Sequence, residues 1–198
     1  MRIYVLDDDA AMCRTLARML SSDGNQVCGF TGPAALLSAI EMASPDVLLL
    51  DIGLDGANGL DVLTQVTATR TELPVVMISG TSEVDDAIAA FRGGAVQFLR
   101  KPFRRSELEA ALSDAARIGK ERAHRLARTR TASAISLSKR EHEVLAGMTE
   151  GLQSKLIAHR LGISLRTVDM HRANIFSKLS AKNATHAVAI ARQLDLAR

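Results

Sequence analysis

Ile3-Tyr4-Val5-Leu6-Asp7-Asp8-Asp9 and Val47-Leu48-Leu49-Leu50-Asp51 share one design: a short apolar run that ends abruptly in acid. Such runs are strand-sized and lack polar alternation, the texture of strands covered on both faces. Further β-branched or aliphatic runs lie at Gln26–Phe30, Val75–Ile78 and Val96–Leu99. Between the runs the spacing predicts helices over Ala11–Leu20, Ala34–Met42, Leu60–Ala68 and Val84–Phe91, and after the last run over Leu108–Ile118. Ser82-Glu83-Val84-Asp85 resembles a capping box with Asp in place of Glu, and Gly93-Gly94 ends that helix. Five strands alternating with five helices predict an α/β fold, a flavodoxin-like, doubly wound, five-stranded parallel sheet.

That fold decides where the acids meet. In the strand order 2-1-3-4-5 the first and third strands flank the switch point, and ligands bind outside their carboxyl ends. Asp7 and Asp8 follow the first run and Asp51 follows the third, so these three carboxylates converge in one crevice. Their mutual repulsion needs a positive partner. One candidate is a hard divalent cation such as Mg²⁺, which takes oxygen ligands. The other is Lys101, just past the fifth run. Ser79, at the end of the fourth, adds a hydroxyl that can donate to a phosphoryl oxygen. A nucleophilic carboxylate, a cation seat, an ammonium and a hydroxyl are what phosphoryl transfer to an aspartate needs.

The chain has 198 residues, which suits one or two domains, and a net charge of +3. That average hides a split. Residues 1–119 hold 16 acids and 10 bases, net −6; residues 120–198 hold 6 acids and 15 bases, net +9. Hydrophobic residues make up 47% of the chain, too many for a disordered protein. The apolar runs are too short for a membrane-spanning helix, and Asp7-Asp8-Asp9 interrupts any export signal, so a cytoplasmic protein is expected. Cys13 and Cys28 form no CxxC and sit at apolar positions, which predicts core filler. With no Trp and one Tyr, base stacking on an aromatic platform is not expected; if the basic half binds nucleic acid, a helix in a groove should do it.

Residues 119–136 change texture. Lys120 to Arg130 is basic and nearly core-free, able to prolong the preceding helix as a solvated spoke, and Thr131–Ala134 reads as loop. The stretch is taken as a linker between domains at 1–118 and 137–198. Beyond it a small all-α, four-helix unit is expected. Ser138-Lys139-Arg140-Glu141 is a capping box opening a helix that ends at Gly151. Ser154 caps a short helix, Ser164 a longer one to about Leu179, and a last helix runs from about Ala184 to Gln193. The short, Gly-containing Gly162-Ile163-Ser164 link is what a helix-turn-helix requires. On the helix after Ser164, Val168, Ile175 and Leu179 should pack on Val144, Ile157 and Leu161. The opposite face presents Arg166, Thr167, Asp169, Met170, Arg172, Ala173 and Ser177. Arg166 and Arg172 suit guanine or phosphate, and Asp169 suits cytosine. Lys155, Thr167 and Lys178 are better placed for phosphates.

Taken together, Leu6-Asp7-Asp8-Asp9, Leu50-Asp51, Ile78-Ser79-Gly80 and Phe98-Leu99-Arg100-Lys101-Pro102-Phe103 resemble the receiver domain of two-component response regulators. That resemblance implies Asp51 as the phosphoacceptor, served by a partner histidine kinase. It implies Asp7 and Asp8 as the acid pair holding Mg²⁺, with the backbone carbonyl of Gly53 completing the site. It implies Ser79 and Lys101 as phosphoryl contacts and Phe98 as a switch residue. Leu54-Asp55-Gly56 departs from the family's frequent Met-Pro-Gly, which leaves that loop freer, and the positions of Gly53 and Thr81 bear on the lifetime of the phosphate. Leu137 to Leu196 resembles the LuxR-type helix-turn-helix of the FixJ/NarL group, through Leu137-Ser138-Lys139-Arg140-Glu141, Leu161-Gly162-Ile163-Ser164, Arg166-Thr167-Val168, His171 and Lys178-Leu179. It implies duplex DNA as the partner, with Asp169, Met170 and Ala173 at base-contact positions. His171 is read as bracing the turn or touching DNA. Dimerisation on phosphorylation is implied through a face including Ala87, Ala90, Phe91, Gln97, Arg100, Glu107 and Ala111. The implied protein is a transcription regulator rather than an enzyme; the rival reading is a receiver that acts by protein contact, with weak DNA binding.

Overall fold

The computed structural model describes residues 1–80 and 84–196. The expected capping box at Ser82 and Glu83, and Thr81, lie outside the described residues. In chain order the strands are β1 (Arg2–Leu6), β2 (Gln26–Phe30), β3 (Val47–Asp51), β4 (Gly53–Leu54), β5 (Ala57–Asn58), β6 (Val75–Ser79) and β7 (Gln97–Arg100). The helices are α1 (Ala10–Ser21), α2 (Pro33–Met42), α3 (Gly59–Thr69), α4 (Val84–Arg92), α5 (Arg105–Ala134), α6 (Lys139–Thr149), α7 (Ser154–Leu161), α8 (Leu165–Lys178) and α9 (Ala184–Leu194). They form two compact units, Met1–His124 and Arg125–Arg198.

In the first unit five parallel strands lie in the order β2-β1-β3-β6-β7, the doubly wound arrangement. Strand periodicity explains why the central runs are apolar throughout. Tyr4, Leu6, Leu48, Leu50, Val75 and Met77 enter the core on one face of the sheet. Ile3, Val5, Val47, Leu49, Val76 and Ile78 enter the core on the other. Register then aligns the strand ends. Leu6 pairs with Leu50, Asp51 with Ile78, and Ser79 with Arg100. The acids that follow β1 and end β3 therefore share one sheet edge with Ser79 and Lys101.

Several elements differ from the sequence expectation. The loop after Asp51 is not free: Gly53–Leu54 and Ala57–Asn58 pair as a small antiparallel ladder. Residue 59 must be glycine, because a Cβ there would collide with the Asp51 carbonyl oxygen and Ile52 Cα. Cys28 is exposed on the edge strand β2, whereas Cys13 is buried. An edge strand has one flank and part of its faces uncovered, so apolar sequence there does not ensure burial. Thr131–Ala134 is the end of α5 rather than a loop. The basic stretch does prolong the preceding helix, as its sequence allowed. Gly119 sits buried inside α5 because Pro74 packs against it, and a Cβ would stand 2.7 Å from Pro74 Cδ.

The second unit is all helical. The Ser138–Glu141 capping box forms in full at the start of α6. Ser154 is the first residue of α7 rather than its cap, which is Gln153. Ser164 caps α8, accepting from the backbone N–H of Thr167 at 3.1 Å. Val168, Ile175 and Leu179 pack with Val144 and Ile157 in one core, against which Leu161, Ala132 and Ile135 also lie.

Candidate functional site

Asp7 follows β1 by one residue and is buried; its backbone N–H donates to the Phe30 carbonyl, 3.1 Å, which fixes the turn out of the strand. Its Oδ1 accepts from the Asp9 backbone N–H at 3.0 Å. Asp9 itself is spent as the cap of α1, accepting from the Ala11 N–H at 2.7 Å. Of the three consecutive acids, Asp7 and Asp8 therefore remain for the crevice. Carboxylate oxygens of Asp7, Asp8 and Asp51 lie within 4.8 Å of one another. Lys101 Nζ bridges two of these residues, donating to Asp7 Oδ2 and to Asp51 Oδ2 at 2.8 Å each. Lys101 N–H also donates to the Ser79 carbonyl at 2.7 Å, which locks the end of β6 to the residue after β7.

The electrostatics follow from that packing. Burial pushes the Asp51 carboxyl above the ordinary carboxylate range; Lys101 opposes the rise and the Asp7 charge adds to it. Burial alone would lower Lys101, but its bonds to Asp51 and Asp7 outweigh this and hold it above the usual lysine value. Asp51 Oδ1 is buried with no hydrogen-bond partner among the described residues. An all-oxygen donor set with one orphaned carboxylate oxygen fits a hard divalent cation of the Mg²⁺ class.

Phe98 lies half-buried on β7, against the core that contains Leu63 and Met77. Gly53 is exposed in the ladder after Asp51. On the presumed dimer face the structure corrects the sequence reading. Ala90 and Ala111 are buried in the two cores and cannot lie on a surface. Val84 and Ile88, not anticipated, are exposed beside Phe91, at 72%, 43% and 52%.

The second unit presents Lys155, Arg166, Asp169, Met170 and Ala173 to solvent. Thr167 is half-buried, its hydroxyl 2.7 Å from that of Ser164. His171 is half-buried and its Nδ1 has no partner among the described residues. Arg172 and Lys178 are not free. Arg172 Nη1 donates to Ser154 Oγ, and Lys178 Nζ donates to Glu141 Oε2 at 2.7 Å.

Residues 3–113 match the response regulator receiver domain family, and residues 135–197 match the bacterial regulatory proteins of the luxR family. The chain belongs to the LuxR-type response regulators. Among similar members, the transcriptional regulatory protein FixJ of Bradyrhizobium diazoefficiens is 36% identical over 98% of this chain and 96% of its own. The response regulator protein TmoT of Ectopseudomonas mendocina is 33% identical over 97% of this chain and 88% of its own. Full-length FixJ from B. japonicum superposes with a TM-score of 0.62 at 34% identity, covering 98% of this chain and 97% of that one. The response regulator StyR superposes with a TM-score of 0.75 at 29% identity, covering 97% and 98%. These LuxR-type response regulators are named as regulators, not as enzymes. No helix among the described residues is long and apolar enough to cross a membrane.

Proposed function

We propose that this response regulator accepts a phosphoryl group on Asp51 from a phosphohistidine of a partner kinase in the cytoplasm, then pairs with a second copy and binds duplex DNA. The observation that carries the proposal is Asp51 itself. Its Oδ2 is held by Lys101 while its buried Oδ1 has no hydrogen-bond partner among the described residues, beside two further carboxylates. Lys101 orients the carboxylate, and burial keeps it poorly solvated and so more basic, which favours attack by Oδ1 on phosphorus. Asp7, Asp8, Asp51 and the Gly53 carbonyl would hold Mg²⁺, which when bound neutralises charge on the transferring group. Ser79 and Lys101, at the ends of β6 and β7, would then contact phosphoryl oxygens.

The new group adds about −1.5 to −2 charge. Drawing Ser79 and Lys101 toward it would move the β6 and β7 ends that flank Phe98, so the aromatic repacks and the neighbouring α4 surface changes its pairing preference. The exposed Val84, Ile88 and Phe91 supply apolar area for that pairing. Residues 1–118 act as receiver, 119–136 as linker and 137–198 as reader of DNA. In the reader, Lys155 at the α7 N-terminus and Thr167 suit phosphates, Arg166 suits guanine or phosphate, and Asp169, Met170 and Ala173 suit base edges, with His171 bracing the turn or touching DNA.

A small phosphodonor such as acetyl phosphate, with Mg²⁺, should add one phosphoryl mass to the wild-type chain and none to Asp51→Asn. Labelling of the variant at the wild-type level would overturn the assignment. Affinity for duplex DNA should fall with salt at a slope of about −0.9 per phosphate contact. A flat response would point instead to an output through protein contacts.

A further inference from the structure

The cations of α8 are not equivalent. Arg166 is exposed and makes no hydrogen bond or ion pair among the described residues. Lys178, the last residue of α8, is tied to Glu141, which is 3% exposed. The Glu141 Oε2 that accepts from Lys178 also accepts from the Ser138 backbone N–H at 2.7 Å. One buried carboxylate therefore closes the capping box of α6 and anchors the C-terminus of α8. Arg172 makes the corresponding tie to α7. It donates to the hydroxyl of Ser154, the first residue of that helix, with its guanidinium over the Phe176 ring, 5.8 Å to the centroid.

A lysine that swung out to a phosphate would leave Glu141 buried without its cation, and such stranded charges are strongly unfavourable. Arg172, half-buried, would surrender both its hydroxyl acceptor and its ring contact. We infer that Lys178 and Arg172 are positioning residues that set how α8 sits on α6 and α7, and that Arg166 is the α8 cation left to meet DNA. The inference rests on the DNA-binding reading above. It changes what the helix can do: its electrostatic contact is concentrated in the first turn, at Arg166.

Fluorescence anisotropy of the full-length chain with a labelled mixed-sequence DNA duplex, across a salt series, tests this. Non-specific binding is governed by phosphate contacts, so no operator is needed. Arg166→Met should flatten the salt slope by about 0.9, the value for one phosphate contact, and an unchanged slope overturns the role given to Arg166. Lys178→Met and Arg172→Met should leave the slope at the wild-type value. Amide exchange in α6 and α8 should be several-fold faster in Lys178→Met and restored in Lys178→Arg. Carbon-13 NMR should show the Glu141 carboxyl titrating at higher pH in Lys178→Met, returning in Lys178→Arg, a change that loss of packing alone would not produce. A slope that flattens in Lys178→Met or Arg172→Met as much as in Arg166→Met overturns the inference, as does an unmoved Glu141 titration. If the wild-type chain shows no salt-dependent binding, the DNA reading fails; α7 and α8 exchange in Arg172→Met and the Glu141 titration then decide the two ties.

Discussion

Lys101→Met keeps most of the side-chain stem and removes the ammonium that both Asp7 and Asp51 share. Lys101 is the only cation among the described residues hydrogen-bonded to either carboxylate. The carboxylate side chains are 2% and 7% exposed, whereas that of Lys101 is 22% exposed. Removing one member of a buried pair costs about 3–5 kcal/mol, and the partial exposure of Lys101 places this case near the lower end, about 3 kcal/mol without metal. The cost depends on pH in a definite direction. Asp51 is held above its ordinary value by burial, with Lys101 pulling it back and Asp7 adding to the rise. Without Lys101 it rises further. The native state then keeps a proton over a window in which the unfolded chain has lost it, so stability falls as pH increases through that window. The variant should lose most near about pH 8 and less near about pH 5, where a proton substitutes for the ammonium. Tyr4 makes the assay selective. It is the only tyrosine in a chain without tryptophan, and it is buried in the first unit beside Phe30. Urea unfolding of the full chain in EDTA, followed by tyrosine fluorescence, therefore reports on residues 1–124. Added Mg²⁺ should restore more stability to the variant than to wild type. A loss under about 1 kcal/mol at the higher pH, or an equal loss at both, would refute the reasoning.

Three other outcomes are expected. Gly119→Ala should lower stability in the same tyrosine assay, although helix propensity alone favours Ala by about 1 kcal/mol, because the added methyl meets Pro74; a rise would show that contact to be unimportant. Gly59→Ala should destabilise the first unit by about 1–3 kcal/mol and slow phosphorylation, since α3 must back away from the Asp51 carbonyl; wild-type values for both would contradict the close approach. Burial raises the Glu141 carboxyl, but Lys178 and the Ser138 N–H outweigh this and hold it below the ordinary range. Its contribution is therefore present above the unfolded value and lost as pH falls through the folded one, so acid should speed amide exchange in α6 more steeply in wild type than in Glu141→Gln.

Much of the site was legible because its signals are local. Apolar runs ending in acid place Asp7, Asp8 and Asp51, and a parallel sheet brings strand ends to one edge wherever its helices cross over. The α6 capping box and the Val168, Ile175 and Leu179 stripe are likewise written in short-range spacing. Asp9, directly before the helix, carries a local capping signal, but nothing local marked Gly59 as the residue that lets α3 approach Asp51.

Sequence alone thus determined where the strands run, where the carboxylates emerge and which helices form the second unit, because period and capping act over a few residues. Tertiary structure decided which way the ambiguous side chains turn. Cys28 is exposed because β2 has no outer neighbour, and position 119 takes a glycine because Pro74 lies against it. Ala90 and Ala111 are buried because the sheet covers them. Lys178, though exposed, is tied down because a carboxylate 37 residues earlier is buried within its reach. Each of these depends on a partner distant in the chain, and a helical or strand period carries no information about that partner.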